Sequence, residues 1–112
     1  MALSSDLEAE FGWGYQGRQR EANAQALLLL AEVAKTIRER GEAYGPPSVH
    51  WTRTAALWTA LLSPLLKDGA ALTARHVALL YVLDKASRDM ATPQRDSLVD
   101  IAGYVAGAAG LP

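Results

Sequence analysis

A chain of 112 residues, half of them hydrophobic, has material for one core and none to spare for a second, so a single domain is expected. Eleven Lys and Arg stand against twelve Asp and Glu, with both signs spread along the chain, so no basic stripe exists to collect phosphodiesters and nucleic acid is not expected as a main partner. No apolar run approaches the roughly 20 residues of a membrane span, no cysteine is present for a disulfide or a thiolate zinc site, and the N-terminus lacks the pattern of a secretory signal, so a cytoplasmic protein with no membrane partner is expected.

Residues 1–17, "MALSSDLEAEFGWGYQG", alternate Phe11, Trp13 and Tyr15 with Gly12 and Gly14, a spacing that suits no helix face. They read as an N-terminal arm lying on its own domain or on a neighbouring subunit. The all-α domain then occupies residues 18–112. Arg18–Arg40 are rich in strong helix formers, with Ala24, Leu27, Leu28, Ala31, Ala34 and Ile37 at spacings of three and four, and Gly41 is placed to cap this first helix. Ser48, after the stiff "YGPP" break, is a good N-cap for a second helix carrying Ala55, Trp58, Leu61, Leu62 and Leu65. Pro64 predicts a kink or a fresh short helix in it. Thr73 caps a third helix reaching about Met90. Thr92 as N-cap with Pro93 at the first helical position opens a fourth. No stretch alternates as a strand would, so the fold class is all-α, a four-helix bundle-like arrangement whose short connections favour antiparallel neighbours.

Asp96, Asp100 and Tyr104 are four residues apart and share a face of the last helix. Two carboxylates one turn apart can share a hard divalent cation such as Mg²⁺, while Asp96 is equally explained by the helix dipole. Asp100, between Val99 and Ile101, needs a partner if buried. On the third helix, Lys85 and Arg88 are flanked by Asp84 and Asp89. Pairs along the helix, Asp84 with Arg88 and Lys85 with Asp89, compete with a reading in which the short "MATPQ" link brings Lys85 and Arg88 to Asp96 and Asp100. Tyr44, His50, Trp51 and Arg53 surround the proline turn. They offer ring faces and donors for a base or ribose and a phosphate, beside the free amides of a helix start. No phosphate loop, nucleophile elbow or HExxH is present, and Gly41 interrupts the ExxE formed by Glu39 and Glu42.

"RGEAYGPPSVHWTRTAALW" and "DKASRDMATPQRDSLVDIAGYVAGA" together resemble a small family of uncharacterised phage and prophage proteins, over about residues 40–109. The resemblance rests on Arg40, Tyr44, Gly45, Arg53, Trp58, Lys85, Arg88, Arg95, Asp96, Ser97, Asp100, Gly103 and Tyr104. More distantly, "DSLVDIAGY" is similar to the last metal-binding helix of the MazG-like all-α nucleotide pyrophosphohydrolases, with Asp100 in the place of their terminal aspartate. That resemblance implies a nucleotide or related phosphorylated small molecule as ligand, with Mg²⁺ as cofactor. Asp96 and Asp100 would hold the metal, and Arg40, Tyr44, His50, Trp51, Arg53, Lys85, Arg88 and Tyr104 the ligand. The chain departs from that pattern at Asp96, where the enzymes carry Glu at another spacing, and in lacking an intact ExxE. The alternative expectation is a non-catalytic phage protein that inhibits a host protein or sequesters a signalling nucleotide. Finally, helix one is apolar around much of its circumference near "AQALLLLAEVA", and the last helix is rich in Gly and Ala, which together predict a homodimer or higher homo-oligomer with helix one in the interface.

Overall fold

The computed structural model describes residues 13–112, with side chains from Gly17 onward. Among these residues there are four α-helices and no strand: α1 (Trp13–Tyr44), α2 (Pro47–Leu62) running into a short 3₁₀ turn (Ser63–Leu65), α3 (Ala74–Ala91) and α4 (Arg95–Ala108). The all-α class with four helices is therefore the observed one. The chain divides into two units, residues 1–31 and residues 32–112. In the first, Leu27, Leu28 and Leu30 are exposed. None of the described helices is long and apolar enough to cross a membrane.

Several boundaries differ from expectation, each for a local reason. α1 begins at Trp13 rather than Arg18, so residues 13–17 are helical; Phe11 and the rest of the expected arm lie outside the described residues. Gly41 does not cap α1. A single interior glycine costs only about 1 kcal/mol, which the helix formers around it absorb, and the chain breaks instead at Gly45. That residue takes the left-handed conformation at φ 76° and donates its N–H to the Gly41 carbonyl at 3.0 Å. Ser48 is likewise inside α2 rather than at its cap. Pro46 occupies the cap position with φ −64°, ψ 130°, and Pro47 follows it. Neither proline has an N–H to leave unsatisfied at a helix start.

Pro64 does end the regular helix, giving the 3₁₀ turn, and Gly69 (φ 76°) then reverses the chain. Thr73 caps α3 as expected, and His76 completes the cap. The Thr73 hydroxyl accepts the His76 N–H at 3.3 Å, and His76 Nδ1 accepts the Thr73 N–H at 3.0 Å. At the other end Thr92 closes α3, donating its N–H to Arg88 O at 3.0 Å, instead of opening α4. α4 starts later, at Arg95 after Gln94, because the Asp89 carboxylate reaches across the link to accept the Gln94 N–H at 2.9 Å.

Residues 32–112 pack around Trp51, Ala55, Val77, Ala78 and Ala108, with Trp58, Tyr81, Tyr104 and Leu111 against them. α3 lies between α2 and α4. Its pairing with α4 runs antiparallel: Arg75 meets the Ala108 carbonyl, Tyr81 meets Tyr104, and Lys85 meets Asp100. Thr59 Oγ1, accepting the Leu72 N–H at 2.9 Å, fixes the loop before α3 onto α2. Arg95, paired with Glu32 at 3.0 Å, ties α4 to α1 inside this unit.

Candidate ligand-binding cleft

A cleft of about 410 Å³ opens among α1, the proline turn, the start of α2 and one face of α4. α1 lines it with Val33, Ile37 and Gly41 on a four-residue repeat, alongside Thr36, Arg40 and Tyr44. Val99, Gly103 and Gly107 form the matching repeat on α4, with Asp100 and Tyr104 one position further round. The turn supplies Gly45, Pro46 and Pro47, α2 supplies His50 and Trp51, and α3 reaches in with Lys85.

The floor is aromatic and closely fitted. Trp51 is 5 % exposed and its ring lies directly over Gly107, where a Cβ would come within 2.5 Å of Trp51 Cη2. Only glycine admits the indole at this depth. The Tyr104 ring is 6.1 Å from Trp51 and stacks on Tyr81 at 5.1 Å with 27° between planes, and Tyr81 meets Trp58 edge-on at 5.6 Å. A chain of rings thus runs from the cleft into the core, at separations favourable to aromatic pairs.

Charge gathers on one side of these rings. Lys85 Nζ and Asp100 Oδ2 are 3.2 Å apart and half-buried. Burial pushes the Tyr104 phenol above its ordinary pKa; Lys85 opposes the rise, Asp100 and Tyr81 add to it, and Arg40 pulls the other way. The phenol therefore stays a neutral donor well into alkaline solution. Arg40 is exposed on the opposite wall and makes no ion pair among the described residues.

Seven of the expected site residues, Arg40, Tyr44, His50, Trp51, Lys85, Asp100 and Tyr104, line this one cleft. Arg53, Arg88 and Asp96 do not, and all three are exposed. Arg88 Nε is bound to Asp84 Oδ2 one turn back, at 3.3 Å. Asp96 sits in the first turn of α4, where the helix dipole accounts for it. The four-residue convergence of Lys85, Arg88, Asp96 and Asp100 thus reduces to Lys85 and Asp100. Asp89, the alternative partner of Lys85 along the helix, is engaged by Gln94. The amides at the start of α2 are also poorer than expected: two positions are proline, and the Val49 N–H donates to Pro46 O at 3.3 Å.

The cleft wall offers Mg²⁺ a single carboxylate. This hard ion takes one or two carboxylates together with phosphate oxygens and water. Among the described residues no three His, Cys, Asp or Glu side chains converge, and the one carboxylate on the cleft wall, Asp100, is already matched by Lys85. The residues whose contribution the sequence did not reveal are Val33, Thr36, Ile37 and Gly107, together with Tyr81 behind Tyr104. The four-residue repeats Val33–Ile37–Gly41 and Val99–Gly103–Gly107 signal Val33, Ile37 and Gly107, and no pattern in the sequence signals Thr36 or Tyr81.

Fold and cleft define a small all-α domain with an aromatic-floored, cation-bearing pocket. A family model, Domain of unknown function (DUF6378), matches residues 28–111, which includes every residue of the cleft, and the chain belongs to that family. Comparison with curated proteins and with solved structures gives no match.

Proposed function

We propose that the cleft binds a nucleotide or a related phosphorylated small molecule, and that it does so as a binding protein without turning the ligand over. The observation that carries the reading is the meeting of Arg40, Lys85 and His50 with the rings of Tyr44, Trp51 and Tyr104 on one wall set that holds a single acid. A volume of about 410 Å³ falls within the usual range for small-ligand sites, about 300–1,000 Å³. Ring faces suit a base, and a guanidinium can hold a phosphate in a two-pronged hydrogen-bonded arrangement. Tyr104 serves as a neutral donor to the sugar or phosphate.

The proposal of binding without turnover rests on the same residue set, in which His50 is the remaining side chain that could act as a base. A water attacking a phosphorus atom needs a base or a metal to activate it and an electrophile to take up charge. Asp100, the one carboxylate of the wall, is held by Lys85. This favours a sequestering role, in a phage or prophage setting, over the Mg²⁺-dependent pyrophosphohydrolysis that the MazG-like resemblance implies.

Calorimetry and thermal shift with a panel of purine and pyrimidine mono-, di- and triphosphates test the reading, each run with Mg²⁺ and with EDTA. Binding is expected with both, weakened by Arg40→Ala and unaffected by Asp96→Asn, with no pyrophosphate released. No heat and no shift across the panel would rule out the ligand class. Pyrophosphate release abolished by Asp100→Asn would instead make the chain an enzyme.

A further inference from the structure

We infer that the outer face of the α3–α4 hairpin is the contact surface for a second copy of this chain. α3 carries two apolar sides. The inner one, Val77 and Ala78, is fully buried, and Tyr81 follows it into the core. The other, on the far side of the helix, is Leu79, Leu83, Ala86 and Met90 at spacings of four, three and four. Three of these are large and exposed, at 40 %, 65 % and 86 %. A helix apolar on both sides is expected between two layers, and the described residues cover only one.

α4 repeats the pattern. Its inner side is Ser97, Tyr104 and Ala108, and its second apolar side is Leu98, Ala102 and Val105, with Leu98 and Val105 44 % and 49 % exposed. Both helices turn about 100° per residue, but they run in opposite directions, so a clockwise step on one is an anticlockwise step on the other. Measured from the faces the two helices turn toward each other, Ala78, Tyr81 and Lys85 on α3 and Ser97, Tyr104 and Ala108 on α4, the stripes on α3 and α4 therefore come out on the same side of the hairpin, away from α2 and the cleft. The register set by Lys85 with Asp100 and Tyr81 with Tyr104 places Leu79 level with Val105, Leu83 with Ala102, and Ala86 with Leu98. The result is one continuous apolar surface two helices wide.

Its character selects the partner. Between Leu79 and Met90 on α3 and between Leu98 and Val105 on α4 neither stripe holds a charged residue, and Arg95, which continues the α4 stripe at its edge, is already paired with Glu32, so an acidic or basic peptide finds little to pair with. The five large side chains expose on the order of 500 Å² per protomer, in the upper part of the about 300–600 Å² range of a monomer's largest, often functional, patch and more than half of the about 800 Å² per partner of a stable interface. A two-fold axis beside Leu83 and Ala102 would lay one hairpin against another, closing a four-helix layer from identical stripes. This inference is independent of the cleft, which lies on the other side of the hairpin.

The chain has no cysteine, so single introduced thiols report proximity without background. The wild-type protein at micromolar concentration is expected to scatter light as twice its 12.0 kDa chain mass. Leu83→Glu is expected to bring the mass down to one chain while the helical circular dichroism is retained. Leu61→Glu, at a 77 % exposed site on α2, should leave the dimer intact. Should Leu83→Glu unfold, a short bis-maleimide settles the matter: Leu83→Cys should give a covalent dimer and Leu61→Cys none. A monomeric wild type, a Leu83→Glu dimer, or a dimer lost with Leu28→Glu but kept with Leu83→Glu overturns the proposal, the last by moving the interface to α1.

Discussion

The two long walls of the cleft are built on different principles. On the α3–α4 side every group is already engaged: Lys85 with Asp100, Tyr104 with Tyr81, and α4's Gly107 under the indole of Trp51. On the α1 side Arg40 and Tyr44 project from the last turns of a helix that ends at a single left-handed glycine, and Tyr44 is 83 % exposed. On the proposed binding role, a ligand would meet one wall whose side chains are already packed and another whose exposed side chains would still have to be ordered, at about 0.5–1.5 kcal/mol for each side chain. On that reading the fixed wall would select for a flat ring. The mobile one supplies charge that the fold does not itself consume. Shape selectivity and affinity should therefore respond to different mutations.

The fixed wall is the more costly to disturb. Trp51→Ala removes a buried indole from the centre of the core and is expected to destabilise by about 3–5 kcal/mol in urea unfolding, as large-to-small aromatic changes do. Gly107→Ala tests the same contact from the other side. Overpacking of this kind costs about 1–3 kcal/mol, and the gain of about 1 kcal/mol in helix propensity on replacing glycine partly offsets it. A net loss of stability with weaker ligand binding is expected. A net gain would mean that the indole moves aside freely and that the floor is not rigid.

Substitutions on the mobile wall should separate binding from folding. Arg40→Ala is expected to leave the unfolding midpoint unchanged, within the roughly 0.5 kcal/mol typical of surface positions. It should weaken phosphate-bearing ligands by about tenfold, or 1.4 kcal/mol, while leaving the free nucleoside unaffected. Equal loss for nucleotide and nucleoside would assign Arg40 to the base instead. The Lys85–Asp100 pair lies between these extremes. It is half-buried, so its coupling in a Lys85→Met, Asp100→Leu cycle should be about 1 kcal/mol, between exposed and buried pairs. Asp100→Asn, by freeing the amine, should tighten phosphate binding. A weaker complex would mean that Asp100 itself contacts the ligand.

How much of this was legible in the sequence depended on how local the cause was. The helices, the break at "YGPP", the 3₁₀ turn at Pro64 and the Thr73 cap follow from residues within a few positions of one another. The end of α1 and the start of α4 did not, because Gly41 and Thr92 are good local stop and start signals overruled by neighbours: the helix formers beyond Gly41, and Asp89 reaching over to Gln94. In the cleft, Lys85 with Asp100 could be anticipated because the link between α3 and α4 is too short for any but an antiparallel pairing. Arg88 and Asp96 were equally plausible on spacing, but they lie nearer the connection, where Asp84 and the helix dipole satisfy them. Which face of α1 would line the cleft depends on the angle at which the chain leaves Gly45, and no residue pattern states that angle.

The smallest expected effect is a matter of pH. In the native state the Tyr104 phenol is raised above its ordinary value near 10 chiefly by burial, with Lys85 opposing and Asp100 adding to the rise. In the unfolded chain the same group titrates normally. Below pH 10 both states are protonated and Tyr104 contributes no slope. Above it the unfolded state loses the proton first, so stability falls with rising pH until the native phenol also ionises. Tyr104→Phe removes that component while keeping the ring stacked on Tyr81. The variant should therefore lose less stability than the wild type between neutral pH and mildly alkaline conditions above pH 10, as followed by thermal unfolding. Parallel curves would mean that water reaches the phenol freely. Tyr104 would then belong functionally with the mobile wall, and the aromatic floor would extend no further than Trp51.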